Sequence, residues 1–225
     1  MPTRTNSRRC TRVRLSEHDH SIMQGNTTHS DLRALLATRF ERSCAVPQAF
    51  FAAEAGRIAE ACWAMARRFH QGGRLLAFGN GACATDAQHV AVEFVHPVIV
   101  GKRALPALAL PNDTATVSGL SVDRAGPSFV PQLAVLGRAE DIALGFSPDG
   151  GCSNVLEGLR VAGERGMLSL ALVGGDGGQF VQADFDFCFV VPTSDPLLVQ
   201  ETHETLYHVL WELVHVFFEH EGLLA

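Results

Sequence analysis

The sequence predicts an α/β sandwich built on a parallel sheet of five strands, with helices packed on both faces of the sheet. Apolar runs of strand length alternate with helical patterns from residue 74 to the end of the chain. These runs are continuously apolar, as strands are when both faces of a parallel sheet are covered. The composition agrees, because 225 residues with 47% hydrophobic and 19% charged side chains suit one compact domain.

Two long helices are predicted ahead of the first strand, between Asp31 and Gln71. The segment "SDLRALLATRFERS" begins at a Ser/Asp cap, and "PQAFFAAEAGRIAEACWAMARRFHQGG" starts near Pro47 and ends at Gly72 and Gly73. Long amphipathic helices need something to cover their apolar faces, so we expect these helices to take part in an oligomer interface.

The sheet and its helices are predicted from the runs that follow. Five strands are expected at "RLLAFGN", "ALPALAL", "EDIALGFS", "LSLALVGG" and "FDFCFVVP". Helices are expected at "ATDAQHVAVEFV", "NVLEGLRVAGERG" and "PLLVQETHETLYHVLWELVHVFFEHEG", and "NDTATVSGLSVD" follows the second strand. No linker or repeat interrupts residues 31–225, which we expect to form a single domain that includes the N-terminal helices.

Charge separates the N-terminus from the rest of the chain. Residues 1–14 hold five arginines and no acid, so a basic, disordered tail is expected over residues 1–30, with a nucleic-acid arm or a transit peptide as alternatives. Without those five, the 18 Lys+Arg fall to 13 against 24 Asp+Glu, a balance of −11. Such an acidic body is a poor match for nucleic acid.

Membrane and oxidising environments are not expected either. No apolar run reaches the roughly 18 residues that a membrane span needs. The six cysteines are scattered and form no C-x-x-C pair, which indicates a reduced, cytoplasmic protein.

Three loops follow strands at the edge of the sheet where parallel α/β proteins bind ligands. They are "GNGAC" (79–83), "PNDT" (111–114) and "SPDGGCSN" (147–154). Small residues let the backbone approach a ligand, and the N–H groups at a helix start favour an anion. Because the loops match neither the P-loop nor the dinucleotide pattern, a small phosphorylated metabolite is the better candidate.

Two helices carry side chains suited to metal or proton chemistry. His89 and Glu93 lie four residues apart on one helix face and can share a metal or a proton, although such pairs are commonly surface contacts. The last helix adds Gln200 and His208, and the latter also fits a buried core histidine. Eight residues of straight helix place these two about 12 Å apart along the axis.

Several of these segments together resemble the sugar isomerase (SIS) domain family, and within it the sedoheptulose 7-phosphate isomerases, or phosphoheptose isomerases. The resemblance rests on "FGNGACATDAQHVAVEF", "LPALALPNDTATVSGLSVD", "EDIALGFSPDGGCSNVLEGLRVAGERGM", "ALVGGDGG" and "VQETHETLYHVLWELV". It covers roughly residues 31–221, with the motifs in the same order and at similar spacing.

The resemblance implies a SIS fold, a three-layer sandwich of the flavodoxin or Rossmann kind, assembled as a homotetramer through its N-terminal and C-terminal helices. It implies isomerisation of sedoheptulose 7-phosphate to D-glycero-D-manno-heptose 7-phosphate through an enediolate. One zinc ion per subunit would be bound by His89, Glu93, Gln200 and His208, with Glu93 and His208 as the acid/base pair. The substrate pocket would then include Asn80, Gly81, Ala82, Cys83, Glu93, Asp123, Ser147, Pro148, Asp149, Cys152 and Gln200.

The loop that binds phosphate in the family departs from its usual pattern, Ser-Thr-Ser-Gly-x-Ser. Here it reads Ser147, Pro148, Asp149, Gly150, Gly151 and Cys152. Pro148 removes a backbone donor, and Asp149 brings a negative charge toward the expected phosphate.

Three functions therefore stay open. The chain could isomerise the heptose phosphate or a related sugar phosphate held by Lys102 or Arg103. It could act on a sugar without phosphate at this loop. It could also be a non-catalytic binding or regulatory SIS module of the DnaA-binding type.

Overall fold

The computed structural model of the chain describes residues 29–121, 128–220 and 222. The predicted basic tail lies outside the described residues except for its last two positions. Asp123, predicted for the substrate pocket, also lies outside them. No helix in the described ranges is both long and apolar enough to cross a membrane.

The chain begins, where it is described, with one helix rather than the two predicted. Helix α1 runs from His29 to His70 without a break and contains Pro47. Proline removes one backbone hydrogen bond and usually ends or kinks a helix, which is why two helices were predicted. The prediction is wrong because tertiary packing outweighs that local preference: Val46 and Phe50 on either side of the proline are both buried in the main core.

The sheet confirms the predicted fold class. Its five strands are all parallel: β1 (Leu75–Gly79), β2 (Ala107–Ala109), β3 (Ile142–Ser147), β4 (Leu168–Gly174) and β5 (Phe187–Val191). Their spatial order is β2-β1-β3-β4-β5. In this order the chain turns from one direction to the other between β1 and β3, and ligands of such sheets bind at that switch point.

Helices cover both faces of the sheet. After α1 they are α2 (Ala82–Val95), α3 (Thr114–Ser121), α4 (Val130–Leu136), α5 (Ser153–Glu164) and α6 (Pro196–Glu219), with short 3₁₀ turns at Leu110–Asn112 and Phe180–Gln182. The short helix α4 was not predicted. The second strand is also shorter than expected, because the end of its apolar run forms the first 3₁₀ turn.

Two apolar cores separate three layers. Alternate residues of β1 point to opposite faces, so Leu75 and Ala77 join a core with α1, α2 and α6, while Leu76 and Phe78 join a second core with α4 and α5. Every residue of β1, β3 and β4 is buried, as the continuous apolar runs predicted. The helices α2 and α6 therefore lie side by side on one face.

The turn from β1 into α2 depends on two glycines. Gly81 has φ +55°, a conformation that side-chain-bearing residues rarely adopt. A Cβ on Gly79 would lie 2.7 Å from the Cβ of Cys83, so only glycine lets α2 start so close to the strand end. This tight turn brings the first turns of α2 to the ligand-binding edge.

Candidate active site

Helix α2 presents three polar side chains in a row. Asp86, His89 and Glu93 follow the i, i+3, i+7 spacing of one helix face. The His89 Nε2 and Glu93 Oε1 atoms are 3.3 Å apart. Asp86 is buried, whereas the His89 side chain is 38% exposed and that of Glu93 is 13% exposed.

Helix α6 completes a cluster of three metal-ligating side chains. The imidazoles of His89 and His208 lie with centroids 5.1 Å apart and planes at 82°. One ligand atom from each of His89, Glu93 and His208 can be chosen so that all lie within 4.8 Å of one another. Imidazole nitrogens and a carboxylate oxygen are ligand types that zinc binds, so these three residues fit a metal ion.

Tyr207 and Trp211 join α6 to α2 beside this cluster. The Tyr207 hydroxyl lies 2.7 Å from His89 Nδ1, and Trp211 Nε1 donates to the backbone carbonyl of Glu93 at 2.8 Å. Burial, with a smaller contribution from the negative charge of Glu204, raises the pKa of Tyr207 well above its usual range.

Gln200 reaches α2 through a residue that the sequence did not single out. Its Nε2 donates to Oδ1 of Asp86 at 3.0 Å. Burial raises the pKa of the Asp86 carboxyl, the hydrogen bond from Gln200 lowers it, and Glu204 raises it again. The structure thus brings Gln200 beside the α2 face that carries His89 and Glu93.

The loops after β1 and β3 face each other at the switch point. The amides of Asn80 and Asn154 exchange two hydrogen bonds of 2.9 Å, which hold the start of α5 against the β1–α2 turn. Gly81 and Ala82 are exposed, and Asn80 is half-buried. Cys83 is buried; burial and the nearby Asp86 raise the pKa of its thiol to about 12, so it is not a nucleophile.

The loop after β3 uses its own side chains to bind its backbone N–H groups. Ser147 Oγ accepts from the N–H of Gly150 at 3.1 Å and of Cys152 at 3.4 Å. Asp149 Oδ1 accepts from Gly151 N–H at 2.8 Å. Ser147 is buried, Pro148 and Cys152 are half-buried, and Asp149 is exposed. The Asp149 carboxylate thus occupies the Gly151 N–H, a donor that would otherwise be available to an anionic ligand.

Lys102 and Arg103, the two side chains that could hold a phosphate in place of the loop after β3, lie elsewhere in the structure. Lys102 pairs with Glu219, and the Arg103 guanidinium lies 5.2 Å from the ring centroid of Phe218. Glu219 follows His208 by eleven residues of α6, or about 16 Å of helix. Within one chain, therefore, neither Lys102 nor Arg103 approaches the cluster on α2 and α6.

Sequence reasoning missed Asp86, Asn154 and Tyr207. Asp86 could have been found, because it precedes His89 by three residues on the same helix face. Asn154 and Tyr207 meet their partners only through the packing of distant segments, and no local pattern indicates those contacts.

Comparison with known proteins places the chain in a domain family and in one group of enzymes within that family. The sequence pattern that defines the SIS domain matches residues 40–174. Phosphoheptose isomerase of Thermodesulfovibrio yellowstonii is 37% identical over 182 residues, which cover 80% of this chain and 90% of that protein. Phosphoheptose isomerase of Aquifex aeolicus is 36% identical over 176 residues, 78% of this chain and 92% of that one.

Solved structures agree with the sequence matches. Phosphoheptose isomerase GmhA from Neisseria gonorrhoeae has a TM-score of 0.74 and 32% identity, over 81% of this chain and 98% of that chain. A phosphoheptose isomerase from Francisella tularensis has a TM-score of 0.76 and 29% identity, over 82% of this chain and 98% of that chain. The chain belongs to the SIS domain family, in the branch of the phosphoheptose isomerases.

Proposed function

We propose that the chain is an aldose–ketose isomerase that converts sedoheptulose 7-phosphate to D-glycero-D-manno-heptose 7-phosphate. The observation that carries the proposal is the cluster of His89, Glu93 and His208 at the ligand-binding edge of a SIS domain. The relatives that match nearly their full length are phosphoheptose isomerases, which supports the substrate class.

The reaction moves one proton between neighbouring carbons. A base removes a proton from C1 of the ketose and returns it to C2, while a second group moves a proton between the two oxygens through an enediolate. We assign the carbon-bound proton to the Glu93 carboxylate and the oxygen-bound proton to the His208 imidazole. One ligand atom of Glu93 lies within 4.8 Å of one of His208, so the two side chains line the same site.

The same residues would hold a zinc ion, one per subunit, with Gln200 as the fourth ligand. A bound zinc ion supplies positive charge that polarises the substrate oxygens and stabilises negative charge developing on them. The two roles are compatible, because a carboxylate has two oxygens and an imidazole has two nitrogens. Asn80 and the loop after β3 would contact the sugar on the opposite side.

The loop after β3 favours a second candidate, a sugar that has no phosphate at that position. Asp149 already accepts from Gly151 N–H, and its exposed negative charge opposes a phosphate in the same place. The intact cluster on α2 and α6 argues against the third reading, a purely regulatory module, because binding alone does not require a metal-ligating triad.

One experiment separates these functions. The zinc-loaded protein is incubated with sedoheptulose 7-phosphate and, in parallel, with unphosphorylated sedoheptulose, and the products are followed by NMR. Aldose formed from the phosphorylated sugar supports the proposal. Aldose formed only from the free sugar transfers the function to the second candidate, and no product from either overturns isomerisation of these heptoses.

We propose further that the protein is a cytoplasmic homotetramer whose interface includes the N-terminal part of α1. Leu32, Leu35, Leu36 and Phe40 follow helical spacing and are 41–70% exposed, which leaves an apolar stripe in water. A reduced compartment is supported by the absence of disulfides among the five described cysteines.

A further inference from the structure

Tyr207 is the single tyrosine of the chain, and its hydroxyl contacts His89. We propose that Tyr207 is a positioning residue for the metal site: its hydroxyl accepts the Nδ1 proton of His89 and so keeps the Nε2 lone pair of that ring directed at Glu93 and His208. This inference rests on the metal-binding role proposed above. Tyr207 would thus lie outside the set of metal ligands and still affect how tightly those ligands bind the metal ion.

The phenol ring is held rigidly enough to have this effect. Tyr207 is 1% exposed and packs at right angles against Phe146, at 6.2 Å between centroids, and at 77° against His208, at 5.0 Å. Because β3 supplies Phe146 and α6 supplies Tyr207, the position of the hydroxyl is set by the core. A rigid hydroxyl 2.7 Å from Nδ1 then fixes the orientation of the His89 ring.

The proton on His89 decides which nitrogen can bind a metal. A ligating nitrogen must be unprotonated, so a neutral imidazole that ligates through Nε2 carries its proton on Nδ1 and needs an acceptor there. The carboxylate of Glu204 is too far, since its Oε1 is 3.8 Å from Nδ1 and its side chain is 48% exposed. Tyr207 is the acceptor at hydrogen-bond distance.

A hydroxyl suits both the metal-free and the metal-bound state, because it can donate as well as accept. Without metal, Tyr207 can donate to Nδ1 while Nε2–H faces Glu93 Oε1 at 3.3 Å. With a metal ion on Nε2, the neutral ring would carry its one proton on Nδ1 instead, and Nδ1–H would donate to the Tyr207 oxygen. Phenylalanine would fill the same space and could do neither.

The test compares zinc affinity in the native protein and in Tyr207→Phe by competition with a chromophoric chelator, with no sugar present. Loss of an outer hydrogen bond to a ligating histidine typically costs about 10–100-fold in metal affinity, and we expect a loss in that range. Thr202→Val is the matched control. It removes another buried hydroxyl of α6, one that donates to the Leu198 carbonyl and does not contact His89, and should leave zinc affinity unchanged.

The possible results are distinct. Native protein that binds zinc and a Tyr207→Phe variant that binds it equally well would overturn the inference alone. Native protein that binds no zinc would overturn the proposed metal site and this inference with it.

A second measurement needs no variant. Because the chain has one tyrosine, protein labelled with ¹³C at the phenol carbon gives one signal, which should shift on zinc addition as the hydrogen bond reverses. A signal that stays in place while zinc binds would contradict the inference.

Discussion

Gln200 donates a hydrogen bond from Nε2 to Oδ1 of Asp86 at 3.0 Å, and this bond joins the N-terminal part of α6 to that of α2. Because the amide nitrogen of Gln200 faces Asp86, the carbonyl oxygen of the same side chain is turned the other way. Asp86 therefore orients a side chain that we propose as a ligand.

Replacing Asp86 should lower activity without lowering stability. Asp86→Ala removes the hydrogen-bond acceptor that orients the Gln200 amide. We expect kcat/KM to fall about tenfold, an effect of the size found between residues in direct contact. The buried Oδ2 of Asp86 has no partner among the described residues, so removal of the carboxylate should not lower the thermal midpoint. The measurement is steady-state kinetics with thermal unfolding, and Thr85→Ala, an exposed neighbour, is the control.

A double-mutant cycle tells whether Asp86 acts through Gln200. If it does, the variant with both Asp86→Ala and Gln200→Ala should be no slower than Gln200→Ala alone. Independent, additive losses would contradict the assigned role.

The loop after β3 gives a prediction about phosphate. In Asp149→Ser the Gly151 N–H is released and one negative charge is lost, so KM for sedoheptulose 7-phosphate should fall about tenfold, the equivalent of one charge-assisted hydrogen bond. Asp176→Ser is the matched control, because Asp176 accepts from Gly178 N–H at 3.0 Å in the loop after β4. An unchanged KM in Asp149→Ser would show that phosphate binds away from this loop.

A buried histidine predicts how stability depends on pH. His203 is fully buried, and burial lowers the pKa of its ring from 6.5 to about 4, with a small opposing effect of the backbone at Val173. Neither ring nitrogen makes a well-formed hydrogen bond to a described residue. The unfolded chain therefore takes up a proton at higher pH than the folded one, so stability is full above pH 6.5 and falls as the pH drops toward 4.

His203→Leu should remove this acid sensitivity. The free energy of unfolding should fall between neutral pH and about pH 4.5 in both proteins. The fall should be about 2–3 kcal/mol smaller in the variant than in the native chain. Urea titrations at both pH values measure the difference. His70→Leu, at an exposed position of α1, should keep the native pH dependence. If His203→Leu also keeps the native pH dependence, the buried ring does not cause the loss of stability in acid.

The exposed apolar stripe of α1 allows the proposed homotetramer to be tested. Leu36→Glu combined with Phe40→Glu places two charges on side chains that are 70% and 67% exposed in one chain. Charges buried at an interface are strongly unfavourable, so the molar mass from light scattering should fall below that of the native assembly. Arg33→Glu, on the same helix, should leave the mass unchanged, and an unchanged mass in the double variant would place the interface elsewhere.

Much of the fold could be predicted because its pattern is local. Continuous apolar runs identified all five strands, and the i, i+4 spacing of His89 and Glu93 predicted that these two side chains share one face of α2. The approach of His208 to that face was expected only from the family resemblance. It depends on α6 packing beside α2, which no local pattern encodes.

The errors also have physical causes. Pro47 was given its usual helix-starting role, but the buried neighbours Val46 and Phe50 keep α1 continuous. Asp86 was not singled out, because its burial follows from contact with α6. Tyr207 was overlooked because its partner is 118 residues away in the chain.

The most direct test of the central claim compares native protein with Glu93→Gln, both loaded with zinc, on sedoheptulose 7-phosphate. Glutamine keeps the shape and one oxygen of the side chain but cannot accept a proton from carbon. General-base catalysis typically contributes about 10²–10⁴-fold, so turnover per bound zinc ion, followed by NMR, should fall by that factor while the thermal midpoint is retained. Native turnover that survives in Glu93→Gln, or no turnover in the native protein, would contradict the account.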